Sequence, residues 1–191
     1  FNIKFNSIFF LNSNLGWVVS SNGGMYKYNG INWAQVYSEE FKNGSFSYND
    51  LNDIIAFSSD DIWICSNAGR SSNSQIYHYS NGQWTQTSLN STLLTDLDFI
   101  DSNNIWALGY DGKVFKYNGV GWALIQTLDG GGFWQIKAIN NNDVWVSSYS
   151  NYLTGSSGLW HYDGTSFIPN YKLTSGTSYG DSYAIDFISS N

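Results

Sequence analysis

Residues 94–122 read LTDLDFIDSNNIWALGYDGKVFKYNGVGW. An apolar, alternating segment leads through Asp101-Ser102-Asn103-Asn104 into Ile105-Trp106-Ala107-Leu108. A second turn at Tyr110-Asp111-Gly112 leads into Val114-Phe115-Lys116-Tyr117, and Asn118-Gly119 leads on to Trp122. Short runs of β-branched and aromatic residues bounded by Asn, Asp, Ser and Gly are strands joined by tight turns. The stretch therefore predicts four consecutive antiparallel strands, A to D, with the D strand opening at Trp122.

The same unit occurs four times. Trp17, Trp63, Trp106 and Trp145 each follow a large apolar residue (Phe5, Leu51, Leu94, Phe133) by twelve positions. Downstream, Tyr28, Tyr79, Tyr117 and Tyr162 each precede an aromatic residue (Trp33, Trp84, Trp122, Phe167) by five, with Gly30, Gly82, Gly119 or Gly164 between them. The repeats run approximately over 5–50, 51–93, 94–132 and 133–181. The tail SYAIDFISSN, residues 182–191, matches LTDLDFIDSN of the third copy and reads as the first strand of a fifth. One such meander cannot bury both of its faces, whereas copies stacked around an axis bury them against neighbours. The expected fold is all-β: a β-propeller of four-stranded antiparallel blades, four repeats plus one strand, forming a single domain that is part of a larger ring. Further blades of the same polypeptide are the expected companions, and a strand swapped with another copy is the alternative.

Composition limits the partners. The net charge is −7, only 12% of residues are charged, against about 25% in an average chain, and Arg70 is the one arginine. Nucleic-acid binding needs a basic patch to displace counterions, so that class is excluded. No apolar run approaches the length of a membrane helix, so membrane insertion is not expected. The chain begins at Phe1, which reads as a processed, truncated or recombinant product. Cys65 is the single cysteine and falls on a strand, where a buried thiol is expected. The Asn, Ser, Tyr and Trp-rich composition leans towards an extracellular or cell-surface location.

The segments NNIWALG (103–109), GGMYKYNGINW (23–33) and HYDGTSF (161–167) resemble repeats of bacterial secreted propellers of the two-component-regulator type. Kelch repeats are a weaker likeness, since the double glycine precedes the aromatic pair in one copy only. The resemblance implies a propeller used for ligand sensing, adhesion or protein contact. It implies no particular ligand, because one fold hosts many functions.

In an A-B-C-D meander the B–C and D–A connections emerge on one side and the A–B and C–D turns on the other. The A–B and C–D turns are nearly uniform across copies, whereas the B–C and D–A connections vary in length. Variable loops on a regular scaffold carry function, which makes that side the candidate binding face. The site residues singled out there are Tyr48, Arg70, Tyr110, Asp111, Trp134, Tyr149, Tyr152 and Tyr179, with Tyr37, Phe41, Phe46, Tyr171 and Tyr183 in or beside the same loops. Flat rings among hydroxyls and amides suit a carbohydrate, and the same mixture suits a protein. The expected function is a non-catalytic binding module. The rivals are a glycosidase- or lyase-like enzyme and a structural segment of a surface adhesin or sensor.

Other chemistry finds less support. His78 and His161 stand where the other copies have Lys27 and Lys116, a repeated polar strand position rather than a metal pair. Asp96, Asp98 and Asp186 fall on or near A strands and are the carboxylates that an enzyme reading would use. No EF-hand spacing is present, so Ca²⁺ is a weak expectation and no cofactor is assigned.

Overall fold

The computed structural model describes residues 3–36, 41, 49–67, 74–91, 93–130, 132–148, 158–172 and 185–186, with backbone alone at 171–172. These residues form sixteen strands in four sheets, plus one 3-10 turn at Ser21–Gly23. Blade 1 holds β1 (Phe5–Asn12), β2 (Leu15–Ser20), β3 (Met25–Tyr28) and β4 (Trp33–Val36). Blade 2 holds β5 (Asp50–Ser58), β6 (Asp61–Asn67), β7 (Gln75–Ser80) and β8 (Gln83–Ser88). Blade 3 holds β9 (Leu94–Asp101), β10 (Asn104–Gly109), β11 (Lys113–Tyr117) and β12 (Trp122–Thr127). Blade 4 holds β13 (Phe133–Asn140), β14 (Asp143–Ser148), β15 (Gly158–Tyr162) and β16 (Phe167–Lys172). Each sheet is a meander in which sequence neighbours pair.

The repeated residues occupy repeated places. Tyr28 pairs with Trp33, Tyr79 with Trp84, Tyr117 with Trp122 and Tyr162 with Phe167, each across a hairpin. The paired rings lie 5.0–5.5 Å apart. The glycine between them has φ from +76° to +96°, a conformation that excludes ordinary side chains. In blade 2 Asn81 joins Gly82 at positive φ, giving a two-residue primed turn. At Asn118-Gly119 and Asp111-Gly112 only the glycine does so.

The chain divides into two compact units, 1–94 and 95–191. In the first, Trp17, Val19 and Met25 of blade 1 pack on Leu51, Ile54, Ile64 and Tyr77 of blade 2. In the second, Trp106, Leu108 and Val114 of blade 3 pack on Phe133, Ile136 and Val146 of blade 4. One blade thus contributes the face bearing its repeat tryptophan, and the following blade contributes the face bearing its first apolar A-strand residue.

The turns segregate within blades as the meander requires. Gly119 lies against Asn103 and Gly164 against Asn142, bringing C–D and A–B turns together. On the other side, Leu128 N–H donates to Gly112 O at 2.8 Å and Leu89 N–H to Ser74 O at 3.0 Å, bringing D–A and B–C connections together. The longest B–C insertions, around Arg70 and Leu153, lie outside the described residues.

Candidate ligand-binding site

The best-defined part of the variable side is the β10–β11 turn with the β12–β13 connection. Gly112 N–H donates to Gly109 O at 2.9 Å and closes the turn, with Gly112 at φ +80°. Phe133 N–H donates to Tyr110 O at 3.2 Å, so the turn is laced to the start of β13 as well as to Leu128. The Tyr110 ring lies over Gly132: a Cβ there would stand 2.2 Å from the ring. Its other neighbour is Trp134, at 5.3 Å and 76°, an edge-to-face pair. Both residues are 39% exposed. Asp111, next in the turn, pairs with Lys113 Nζ at 3.1 Å.

Three of the residues singled out by sequence, Tyr110, Asp111 and Trp134, therefore fall in one turn and the strand laced to it. Tyr48, Arg70, Tyr149, Tyr152 and Tyr179 lie outside the described residues, as do Tyr37, Phe46 and Tyr183. Phe41 requires a correction. It is fully buried, with its ring edge-on to Tyr77 and Trp84 at 5.0 Å each, so it plugs the blade 1–blade 2 core instead of facing a ligand. Lys113 opens β11 two residues after Asp111 and does not occupy the strand-C position of Lys27 and Lys116 opposite the repeat tryptophan. Only the turn geometry brings it to Asp111.

The shared Lys/His position lies directly across from the repeat tryptophan in every blade. His78 stacks on Trp63 at 3.6 Å and 13°, and His161 on Trp145 at 4.3 Å and 27°. Asp61 accepts Trp63 Nε1–H at 2.9 Å and lies 2.9 Å from His78 Nε2. Asp143 repeats this with Trp145 and His161 at 2.7 and 2.8 Å. In the other copies Lys27 and Lys116 stand over Trp17 and Trp106 at 5.9 and 4.9 Å. Burial holds the Lys116 ammonium below its ordinary pKa, partly offset by Asp101. Among the described residues no three His, Cys, Asp or Glu side chains group to hold a metal.

The A-strand carboxylates are engaged with backbone. Asp96 accepts Ile136 N–H at 2.8 Å, and Asp98 accepts Ala138 N–H at 2.7 Å while Lys137 Nζ lies 3.4 Å away. These bonds tie β9 to β13. Burial pushes the Asp98 carboxyl above its ordinary value of 3.8, against the opposing pull of the Ala138 amide and Lys137. Between 3.8 and that raised value, the unfolded chain releases this proton before the folded chain does. The Asp98 contribution to stability is thus fully present below 3.8 and is lost as pH rises through the folded value. In urea unfolding across this window, the stability of wild type relative to Asp98→Asn is expected to fall as pH rises. A difference that grows with pH would overturn the assignment.

No protein-family model and no curated protein matches the sequence. Solved structures do match in fold. A structure described as YCF48 bound to D1 peptide superposes with TM-score 0.63 at 15% identity, over 87% of this chain and 54% of that one. The extracellular domain of a putative hybrid two-component system, BT3049 from B. thetaiotaomicron, gives 0.59 at 16%, over 90% of this chain and 25% of that one. PorZ, a surface component of the type-IX secretion system of Porphyromonas gingivalis, gives 0.62 at 18%, over 83% and 25%. The chain spans about half the length of the YCF48 structure and a quarter of the other two. The likeness read from the repeat motifs has its structural counterpart in the two-component-system domain. Sixteen strands in four antiparallel meanders, matched by these propellers, make the chain a set of β-propeller blades.

Proposed function

We propose that this chain is a non-catalytic extracellular binding module whose Tyr110–Trp134 corner receives a carbohydrate. The observation that carries the reading is two aromatic rings set edge to face, both 39% exposed, on a turn laced to a β-strand. Such rings cover the apolar face of a sugar while nearby polar groups meet its hydroxyls. Asp111 and Lys113 supply those groups without a net charge. The extracellular domain and the surface component among the similar folds support the location. The non-catalytic reading is supported by Asp96 and Asp98, which both accept backbone amides.

A glycan array followed by fluorescence titration tests this. Trp134→Ala is expected to weaken the glycan bound best by roughly thirtyfold, the effect of losing about 2 kcal/mol at a binding hot spot. Gly132→Ala is expected to weaken it comparably with the fold intact, because the new Cβ must displace the Tyr110 ring. Val120→Ser, at a 92% exposed position in the opposite C–D turn, should leave binding unchanged. Binding that survives both Trp134→Ala and Tyr110→Ala would move the site elsewhere. The module needs no cofactor, so EDTA is expected to have no effect, and loss of binding on chelation would make Ca²⁺ part of the site. A peptide is the second reading, favoured by the YCF48 structure, which is described as bound to one. Silence across the glycan array with a hit on a peptide array would select it.

A further inference from the structure

Four Asn-Gly pairs lie within the described residues: Asn22-Gly23, Asn29-Gly30, Asn81-Gly82 and Asn118-Gly119. A fifth, Asn43-Gly44, lies outside them. An asparagine before glycine is open to attack on its own side chain, because the glycine amide approaches with no Cβ in the way. Three of the C–D turns share one build. Asn29 Oδ1 accepts Ile31 and Asn32 N–H at 3.0 and 2.9 Å. Asn118 Oδ1 accepts Val120 and Gly121 N–H at 3.0 Å each. Asp163 does the same in blade 4, with Thr165 and Ser166 N–H at 2.9 and 3.1 Å. This position needs an acceptor, and where it is asparagine two bonds hold the carboxamide in place.

Blade 2 is built differently. Ser80 pairs directly with Gln83, so Asn81 and Gly82 make the whole turn, and both are exposed. Among the described residues no turn amide holds the Asn81 carboxamide. Nothing lies within 4 Å of a Cβ built on Gly82, whereas Asn14 crowds the Gly30 position at 3.2 Å and Asn103 the Gly119 position at 2.7 Å. In the repeat register Asp60 stands where the other blades have Asn14, Asn103 and Asn142. Its Oδ1 accepts Gly82 N–H at 3.2 Å. At Asn22-Gly23 the Asp50 carboxylate instead accepts the Asn22 N–H, at 2.9 Å, and not the proton of the reacting nitrogen.

We propose that Asn81 is a self-modification site, deamidated by attack of the Gly82 nitrogen with Asp60 as the base. An amide nitrogen becomes a nucleophile as its proton leaves, and a base within hydrogen-bond reach takes that proton. Asp60 Oδ1 receives it, a bond forms from Gly82 N to Asn81 Cγ, and the Cγ–Nδ2 bond breaks. Ammonia leaves with the proton and a cyclic imide remains. Water then opens the imide on either side. Cleavage at Cγ gives aspartate, and cleavage at the backbone carbonyl gives isoaspartate. Nothing is oxidised or reduced. Both products place a new negative charge in the turn that Asp60 already contacts. The isoaspartyl form also lengthens the backbone by a methylene in a turn with no spare residue, which loosens the β7–β8 hairpin.

Ageing the whole chain in neutral buffer, with deamidation at each pair followed by peptide mass mapping, tests the proposal. Asn81 is expected to convert about tenfold or more faster than Asn29 and Asn118, whose two turn bonds must open first. In urea, where no turn is held, the three are expected to convert at similar rates. Asp60→Asn installs the residue of the other blades. It is expected to slow Asn81 by about tenfold or more in the folded chain and to leave its rate in urea unchanged. An unchanged Asn81 rate in folded Asp60→Asn overturns the role of Asp60. The wild-type ranking needs no variant. Asn29 or Asn118 keeping pace with Asn81 in the folded chain overturns the site, as does a lead for Asn81 that persists undiminished in urea.

Discussion

Trp106→Ala is expected to lower the unfolding free energy by about 3–5 kcal/mol, the cost of emptying a fully buried aromatic site. Trp106 has no exposed surface, and the rings of Tyr162 and Phe167 meet it at 5.3 and 6.2 Å. It joins the faces of blades 3 and 4, so the void opens where the two sheets depend on each other. A domain is typically stable by about 5–15 kcal/mol, so one truncation removes a large share. Trp106→Phe separates volume from polarity. Among the described residues Trp106 Nε1 has no hydrogen-bond partner, a penalty that phenylalanine abolishes. Trp63→Phe and Trp145→Phe instead break indole bonds to Asp61 and Asp143. Urea unfolding should rank Trp106→Phe as much milder than Trp106→Ala. Both substitutions remove the indole N–H, so equal costs for the two would mean that lost volume is not what destabilises the blade 3–blade 4 core.

The blades were legible because each element of the repeat has its own physical signature. Tyr28, Gly30 and Trp33 announce a hairpin through spacing alone, and the structure pairs the two rings across it. Burial was less legible, because it depends on what lies over a face. Ile8 and Ile54 stand at the same repeat position, yet one is exposed and the other buried. Phe41 looked like a loop aromatic because its sequence neighbours are polar. Its burial comes from Tyr77 and Trp84, some forty residues away. The histidines were read correctly as a repeated polar position on strand C. That Asp stands two residues before the tryptophan only in the copies with histidine was visible as DIW and DVW. Strand register was needed to show that the three side chains meet. At the candidate site, sequence placed Tyr110 and Trp134 on the same side, but the contact between them depends on Gly132 having no side chain.

Gly112→Ala is expected to be the most damaging glycine substitution in the candidate site, lowering stability by roughly 2–4 kcal/mol and abolishing the glycan binding proposed for this corner. Two effects combine. Gly112 sits at φ +80°, where an alanine is strained by about 1–2 kcal/mol. Its Cβ would also stand 2.4 Å from Leu128 O and 2.9 Å from the Phe133 ring. A backbone carbonyl cannot swing aside as a side-chain tip can, so the turn or the connection must move. Movement of either threatens the bond from Leu128 N–H to Gly112 O, and with it the lacing that sets Tyr110 beside Trp134. Gly82→Ala is the matched comparison: φ is +76°, but nothing lies within 4 Å of the added Cβ. It should show the backbone term alone and leave binding untouched. Comparable destabilisation by the two substitutions would mean that the Leu128 carbonyl yields freely. The turn would then not be the rigid support on which the aromatic corner depends.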